Sequence, residues 1–396
     1  MIDRISSVLC RRLVSAAPIS LAWTLCLLVL PGPASAQIVQ GAGSAVSQRA
    51  VYLSWDMAGD TTDASVFQWF VPVIVRAGLA DNWELSMATS AAGSEVTWIA
   101  EGEGITGAND TRIQLSHSLS DDQVLLSGGV SIPTGETELS ETHQQIINWL
   151  TADFFNFPSK YPGEGFAAFG EAAFATPAGE WVLGGAGAVH YAGEYTPFAD
   201  GRTYQPGMRL IGSLGIQRDW LKQGALSADL VLTVSTDDKA EGVPVFADGM
   251  QVDAKVTGRK MFRSGAIDAV VRVILRGKNK LLGNNNADLV REAANTNGSD
   301  IRLFLSGSRK LGRVLSGWAS VETKILAAND YAPDEVLYEG AAQIMGFGAG
   351  LDYRLGERAQ IGAGGKIWTG STDGGYTYEA LDLSGYELTQ RLTVTF

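Results

Sequence analysis

The stretch Ala225-Leu-Ser-Ala-Asp-Leu-Val-Leu-Thr-Val-Ser235 alternates between aliphatic and polar side chains. In an extended chain successive side chains point to opposite faces. Leu226, Ala228, Leu230, Leu232 and Val234 therefore share one face, and Ser227, Asp229, Thr233 and Ser235 share the other. The pattern repeats over Gln251–Arg259, where Val252, Ala254 and Val256 oppose Asp253, Lys255, Thr257 and Arg259. It repeats again over Ile267–Arg276, where Ile267, Ala269, Val271, Val273 and Leu275 oppose Asp268, Arg272 and Arg276. Three successive strands thus carry charge on one face and aliphatic groups on the other.

Composition narrows the setting. The chain has 396 residues, a net charge of −13, 47 glycines and only 18% charged residues. Charge is below the roughly 25% of soluble domains, and glycine is nearly twice its usual share of about 7%. A net acidic chain with no basic stripe repels phosphate, which excludes a nucleic-acid partner. No apolar run after Leu30 reaches the roughly 20 residues that a membrane helix needs.

The first residues read as a secretory signal. Arg4, Arg11 and Arg12 precede the apolar run Ile19–Leu30, then Pro31-Gly32-Pro33 and the small residues Ala34-Ser35-Ala36. This predicts cleavage after Ala36, giving a signal peptide over 1–36 and a mature chain over 37–396 with a net charge of −15. Both cysteines, Cys10 and Cys26, fall in the removed part, so neither a disulfide nor a thiolate metal site is expected.

A soluble sandwich also alternates, so the direction of the two faces needs an argument of its own. Connection lengths supply one. Short turns at Ala80–Asn82, Ser120–Asp122, Pro177–Gly179, Arg218–Gly224, Arg263–Ser264, Leu311–Gly312 and Gly356–Glu357 alternate with long polar loops. The long ones are expected at 93–109, 134–165, 193–206, 236–249, 277–299, 327–342 and 370–384. Outer-membrane barrels have short periplasmic turns and long external loops. The chain end supplies the second argument. Tyr386, Leu388, Leu392, Val394 and Phe396 share one face of the last segment, which stops at an aromatic residue. That ending resembles the signal that barrels present to their assembly machinery.

These observations predict an all-β fold, a transmembrane antiparallel up-and-down β-barrel of the bacterial outer membrane. Sixteen strands are expected, starting near Ala50, Val66, Trp83, Thr111, Gln123, Gly165, Trp181, Met208, Ala225, Met250, Ala266, Asp300, Leu315, Ile344, Ala359 and Gly385. The alternative is 14, with the first segment folded as an N-terminal plug. Trp83 and Trp181 follow short turns and suit a periplasmic aromatic girdle, as does Trp220.

One region resembles a known family. Val73–Ser86 reads strand, Gly-Leu-Ala-Asp turn, strand; Asn109–Leu119 and Val124–Gly135 follow, the last ending in Pro-Thr-Gly. Residues 50–135, with the barrel-like ending, resemble the outer-membrane transporter-like family of the meta-pathway of phenol degradation. The resemblance implies a barrel that passes small, often hydrophobic, organic compounds. It implies no individual functional residues.

Conventional chemistry is sparse. The three histidines are His117, His143 and His190, and no metal-binding spacing occurs. His117 and Ser118 are adjacent and so point to opposite faces of a strand, which disfavours a catalytic pair. Gly362–Lys366 lacks the spacing and hydroxyl of a phosphate loop. Acidic loop runs such as Asp237-Asp238 read as solvated polarity, with calcium binding as the alternative. No enzyme activity, cofactor or metal is expected.

The lumen is the better candidate. Inward positions are predicted to include Arg112, Arg209, Asp229, Asp253, Lys255, Arg259, Asp268, Arg272, Arg302, Glu322, Lys324, Lys366, Glu387 and Arg391. Charges of both signs on neighbouring strands would set solute preference in a wet pore; pairing that merely fills the interior is the other reading. In the longest loop, Thr142-x-x-Gln145 is expected to cap a helix, and Ile146, Trp149, Leu150 and Phe154 recur at helical spacing. That helix either folds into the mouth as a constriction, rests on the outer leaflet or packs on its own loop.

The functional expectation is an outer-membrane pore for passive uptake or efflux of small solutes. Expected partners are outer-membrane lipid and lipopolysaccharide, the barrel-assembly machinery and a small-molecule solute. A structural or secretion-partner barrel occluded by its own loops, and a barrel-borne hydrolase, are the alternatives.

Overall fold

The computed structural model describes residues 44–61, 63–97, 104–120, 123–198, 200–220, 223–283, 288–376 and 378–396; the expected signal peptide lies outside the described residues. In chain order the strands are β1 (Ala45–Ala58), β2 (Asp63–Ala80), β3 (Trp83–Val96), β4 (Gly104–Ala108), β5 (Thr111–Leu119) and β6 (Val124–Ile132). Helix α1 (Glu141–Thr151) follows, then β7 (Ala167–Ala178), β8 (Trp181–Ala192), β9 (Tyr204–Gln205), β10 (Arg209–Asp219) and β11 (Gly224–Ser235). Next come β12 (Asp238–Ala240), β13 (Val243–Ala247), β14 (Gln251–Phe262), β15 (Gly265–Arg276), β16 (Lys280–Leu282) and β17 (Leu289–Arg291). β18 (Asp300–Lys310), β19 (Leu315–Leu326), β20 (Ala342–Arg354), β21 (Ala359–Thr372) and β22 (Leu381–Thr395) complete the chain.

Seventeen strands form one antiparallel sheet, and β4 and β5 run in line along β3, so the sheet has sixteen staves. Val46 pairs with Val394 and Asp56 with Ser384, which closes β1 onto β22. Closure pairs the first stave with the last, a necessity where no water can hydrogen-bond the backbone. β1 is a full stave, bonded to β2 on one side and β22 on the other. The alternative of fourteen strands with an N-terminal plug is therefore overturned.

The outward face is apolar. Leu230, Leu232, Val256, Val271, Leu303, Leu305 and Ile367 stand 42–64% exposed in the isolated chain. Hydrocarbon removes such side chains from water at about 1.5–3 kcal/mol each. At the periplasmic ends Trp83 lies stacked on His117 with ring centroids 4.1 Å apart, and Arg218 lies 5.4 Å from the Trp181 ring. Trp220 is exposed in its turn.

The alternation changes meaning at the external rim. Trp55, Met57, Val66, Val96, Ile344, Leu381 and Leu383 are buried, while Asp56, on the opposite face of β1, is exposed. Here the apolar side of the ribbon turns inward and the polar side turns out. The cause is the long loop, which folds into this end and offers an apolar surface.

Several connections are shorter than expected. β3 continues to Val96 and pairs with β4, so most of the anticipated 93–109 loop is ladder. Gly93 permits this, since a Cβ there would lie 2.4 Å from the Trp69 indole nitrogen. β21 reaches Thr372 and β22 begins at Leu381, which trims the last loop. Three other loops are themselves folded: β9, β12, β13, β16 and β17 form a small five-stranded external sheet.

Candidate functional site

The site begins with a bulge. Ala88 pairs with Arg112 and Ala91 with Ala108, so β3 has one residue fewer than its partner across Asn109 and Asp110. A bulge re-aims the side chains it carries. Asp110 accepts hydrogen bonds from the Gly135 amide (3.0 Å) and the Glu164 amide (2.7 Å). One carboxylate thus holds both ends of the 134–165 loop.

Between those ends lies α1. Ser140 caps it, its hydroxyl accepting from the His143 amide at 3.1 Å, whereas the expected cap at Thr142 lies within the helix. Ser140 wins because its backbone is extended, which a capping residue requires. Ile146, Ile147 and Leu150 are buried, Trp149 packs against the same cluster, and Phe154, Phe155 and Phe157 continue it beyond the helix. The cluster includes Leu53, Trp55 and Met57 of β1, Val66 of β2, Ile344 of β20 and Leu381 and Leu383 of β22. The loop thus packs against inward-facing side chains of β1, β2, β20 and β22.

Polar pins fix its register. The Trp55 indole donates to the Phe155 carbonyl at 2.9 Å. Gln68 donates to the Ser159 carbonyl (2.7 Å) and accepts from the Ser159 amide (3.0 Å). On the far wall Arg276 pairs with Asp153 at 2.8 Å, and the Lys324 ammonium donates to the Asp153 carbonyl. Burial opposes ionisation of Asp153, but Arg276, Lys160 and Lys324 outweigh it and hold the carboxyl below its ordinary range. Glu164, at the loop's end, is pushed up by burial, against the pull of Arg209 and with a push from Asp110.

The register places all fourteen residues predicted as inward on the sheet face that also carries Trp55 and Trp368. They fall into two groups. Under the loop, Arg302 pairs with Asp300 at 2.6 Å, and Asp300 and Lys324 are almost fully buried. These are anchors. On the neighbouring strands β11, β14 and β15, Lys255 pairs with Asp229 at 3.2 Å and Arg259 with Asp268 at 3.4 Å, with side-chain exposures of 45%, 37%, 55% and 31%. Arg272 donates from Nε to Asp253 at 2.9 Å. Inward side chains with that much access to water require an unfilled space beside them.

The remaining inward groups are partnered too. Arg112 sits 3.8 Å over the Phe169 ring, which stacks on His190. Lys366 bonds Glu322 at 2.9 Å, and Arg391 bonds Asp352 at 2.5 Å. Arg49, Gln68, Asp110, Arg276 and Trp318 were not singled out in sequence. Arg276 had a signal, since it lies on the charged face of its segment. His117 faces outward and Ser118 inward, so they cannot form a catalytic pair. Among the described residues no group of three or more His, Cys, Asp or Glu could hold a metal.

A closed sixteen-stave barrel with an outward aliphatic band and an ionised interior is an integral β-barrel of the bacterial outer membrane. No protein-family model and no curated protein matches the chain. The phenol meta-pathway resemblance is thus not shown beyond the level of a barrel. Among solved structures the chain is similar in fold to OprB of Pseudomonas putida, with 8% identity, TM-score 0.49, and 88% of this chain and 94% of that chain covered. It is also similar to OccK2 of Pseudomonas aeruginosa in complex with glucuronate (11%, TM-score 0.46, 92% and 99% covered). The outer-membrane channel DcaP of Acinetobacter baumannii is a third (11%, TM-score 0.43, 92% and 100% covered).

Proposed function

We propose that the protein is a passive outer-membrane pore for small solutes, with the 134–165 loop as its constriction. One observation carries the reading: Asp229, Lys255, Arg259 and Asp268 face the interior yet stay accessible to water, nearer the short-turn end of their strands than Arg276, which with Lys324, Trp55 and Gln68 pins the loop. The path runs past the loop and along these four residues. The fourteen inward residues line it or, like Lys324, hold the loop that bounds it. Charges of both signs across a wet gap set ion and solute preference. Ile146, Trp149, Leu150 and Phe154 keep the loop in place rather than touching the solute.

The resemblance over 50–135 supports small organic compounds as cargo. Tyr386, Leu388, Leu392 and Val394 lie on the outward face of the closing strand, which supports its recognition by the assembly machinery before β1 zips onto it. Lipid and lipopolysaccharide then surround the apolar band. Single-channel conductance of the folded barrel in potassium chloride tests the pore, with liposome swelling as its solute counterpart. A folded barrel with neither conductance nor flux would favour the loop-occluded structural barrel instead.

A further inference from the structure

We propose that the interior wall built by β18–β22 and β1 carries a binding subsite for a pyranose sugar, a reading that takes the pore as its route of access. It starts from glycine. Gly346, Gly348 and Gly350 of β20 and Gly364 of β21 alternate along the inward face, where side chains would otherwise stand. A Cβ on Gly350 would lie 2.6 Å from the Trp318 indole, and one on Gly364 would lie 2.4 Å from it. Trp318 therefore packs on bare backbone at the edge of the interior cavity. The same device seats Trp368 on Gly346, where a Cβ would come within 2.5 Å. Trp368, however, is covered by Trp55 and is only 6% exposed. Trp318 is the indole left half-open.

In front of it lies a cavity of about 400 Å³, bounded by Trp318, Phe304, Arg49, Lys366, Glu387 and Arg391. That volume is within the roughly 300–1,000 Å³ range of small-molecule sites. The ions here form a balanced chain. Glu322 meets Lys366 at 2.9 Å, Lys366 meets Glu387 at 4.0 Å, Glu387 meets Arg49 at 3.5 Å, and Arg391 meets Asp352 at 2.5 Å. Arg49, Lys366, Arg391 and Glu387 line the cavity, with Glu322 and Asp352 behind them, so each lining cation is already paired with a carboxylate and none is free to select an anion.

That combination defines a chemical class. A carboxylate solute would call for an unpaired cation, and a hydrocarbon would leave the ions without a purpose. A pyranose ring has an apolar C–H face that covers an indole. Its hydroxyls donate to carboxylates and accept from Arg and Lys, so they can exchange with water on both members of each ion pair. Arg49 and Arg391, 61% and 48% exposed, are the members most open to that exchange.

The test is equilibrium binding of methyl α-D-glucopyranoside to the folded barrel in detergent, read by saturation-transfer NMR from indole protons and by titration. Sodium benzoate is the rival probe. Saturable glucoside binding is expected, with a dissociation constant on the order of millimolar. Trp318→Ala should weaken it about tenfold or more, Trp318→Phe less, and Trp181→Ala, on the outer face, not at all. Transfer from the indole to the glucoside C–H protons in the unaltered protein supports the subsite even if Trp318→Ala fails to fold. No saturable binding, binding unchanged in a folded Trp318→Ala protein, or tighter binding of benzoate would overturn the proposal. Conductance of the same preparation reports the pore separately: current without glucoside binding keeps the pore and rejects the subsite, and binding without current does the reverse.

Discussion

The indole nitrogen of Trp55 donates to the carbonyl oxygen of Phe155 across 100 residues of chain, at 2.9 Å, and both side chains are almost wholly buried. One belongs to the first stave and the other to the inserted loop. Their rings pack with centroids 5.6 Å apart, and Trp368 packs behind Trp55 at 5.7 Å, tilted by 36°. The loop is thus part of the core at this end of the barrel.

Removing that anchor should release the loop. Trp55→Ala is expected to cost roughly 3–5 kcal/mol, the range for large aromatic truncation in a core. Trp55→Phe keeps most of the packing and loses chiefly the hydrogen bond, about 1 kcal/mol. Thermal unfolding of the detergent-folded barrel should rank them in that order. Conductance should become larger or noisier in Trp55→Ala; a current indistinguishable from the unaltered protein would mean that the loop does not bound the path.

The direction of the two sheet faces can be tested at neighbouring residues. Leu305 is 52% exposed on the outward face, and Ser306 beside it lines the inner cavity. Leu305→Arg should cost about 2–4 kcal/mol if it meets mid-bilayer hydrocarbon. Ser306→Arg should fold with near-normal stability. Heat-modifiable gel mobility in lipid reads both, and equal tolerance at the two sites would contradict the membrane-facing assignment.

Ion selectivity should follow the exposed pairs. Arg259→Ser leaves Asp268 without its cation, and Arg272→Ser leaves Asp253 without its own. Both changes make the interior more negative, so reversal potentials in a salt gradient should move toward cation preference. Arg302→Ser acts differently. It strips Asp300, which is buried beneath the loop, so its main readout should be a lower unfolding temperature. A selectivity shift from Arg302→Ser as large as from Arg259→Ser would argue against dividing the charges into anchors and lining.

Acid should loosen the loop through Asp153. Its carboxyl titrates below the ordinary 3.8, so its pairing stabilises the fold fully above that value and is lost as pH falls through the lower, folded-state value. Glu164 has the opposite sign. Its carboxyl is raised above the ordinary 4.5, so its ionised form destabilises, and protonation on acidification relieves that cost. Asp153→Asn should therefore flatten the loss of stability below about pH 4, and Glu164→Gln should remove a gain that begins above pH 4.5. Unfolding temperature against pH for the two variants checks both signs.

Much of the barrel was legible from two-residue alternation. Leu230 and Asp229 differ in face by geometry alone, and a closed sheet leaves lipid and lumen as the only places for the two faces. The charged residues of β11, β14 and β15 were readable for that reason, as was the helical spacing of Ile146 and Leu150. The rim was not readable in the same way. Val51, Leu53, Trp55 and Met57 alternate with polar neighbours as cleanly as Leu230 and Leu232 do, yet they face inward.

The sequence by itself determined that this chain forms amphipathic strands, alternating short turns with long loops, and a closing strand with one apolar flank. These are local properties, fixed by the period of the extended chain and by turn chemistry. Only the tertiary structure decided which side of each ribbon is apolar at a given height, because that depends on what lies opposite: acyl chains around Leu305, but Phe155 and α1 around Trp55. It alone also brought Asp110 to both ends of the loop and laid Trp318 on the glycines of β20 and β21, since those contacts join residues whose separation along the chain carries no signal.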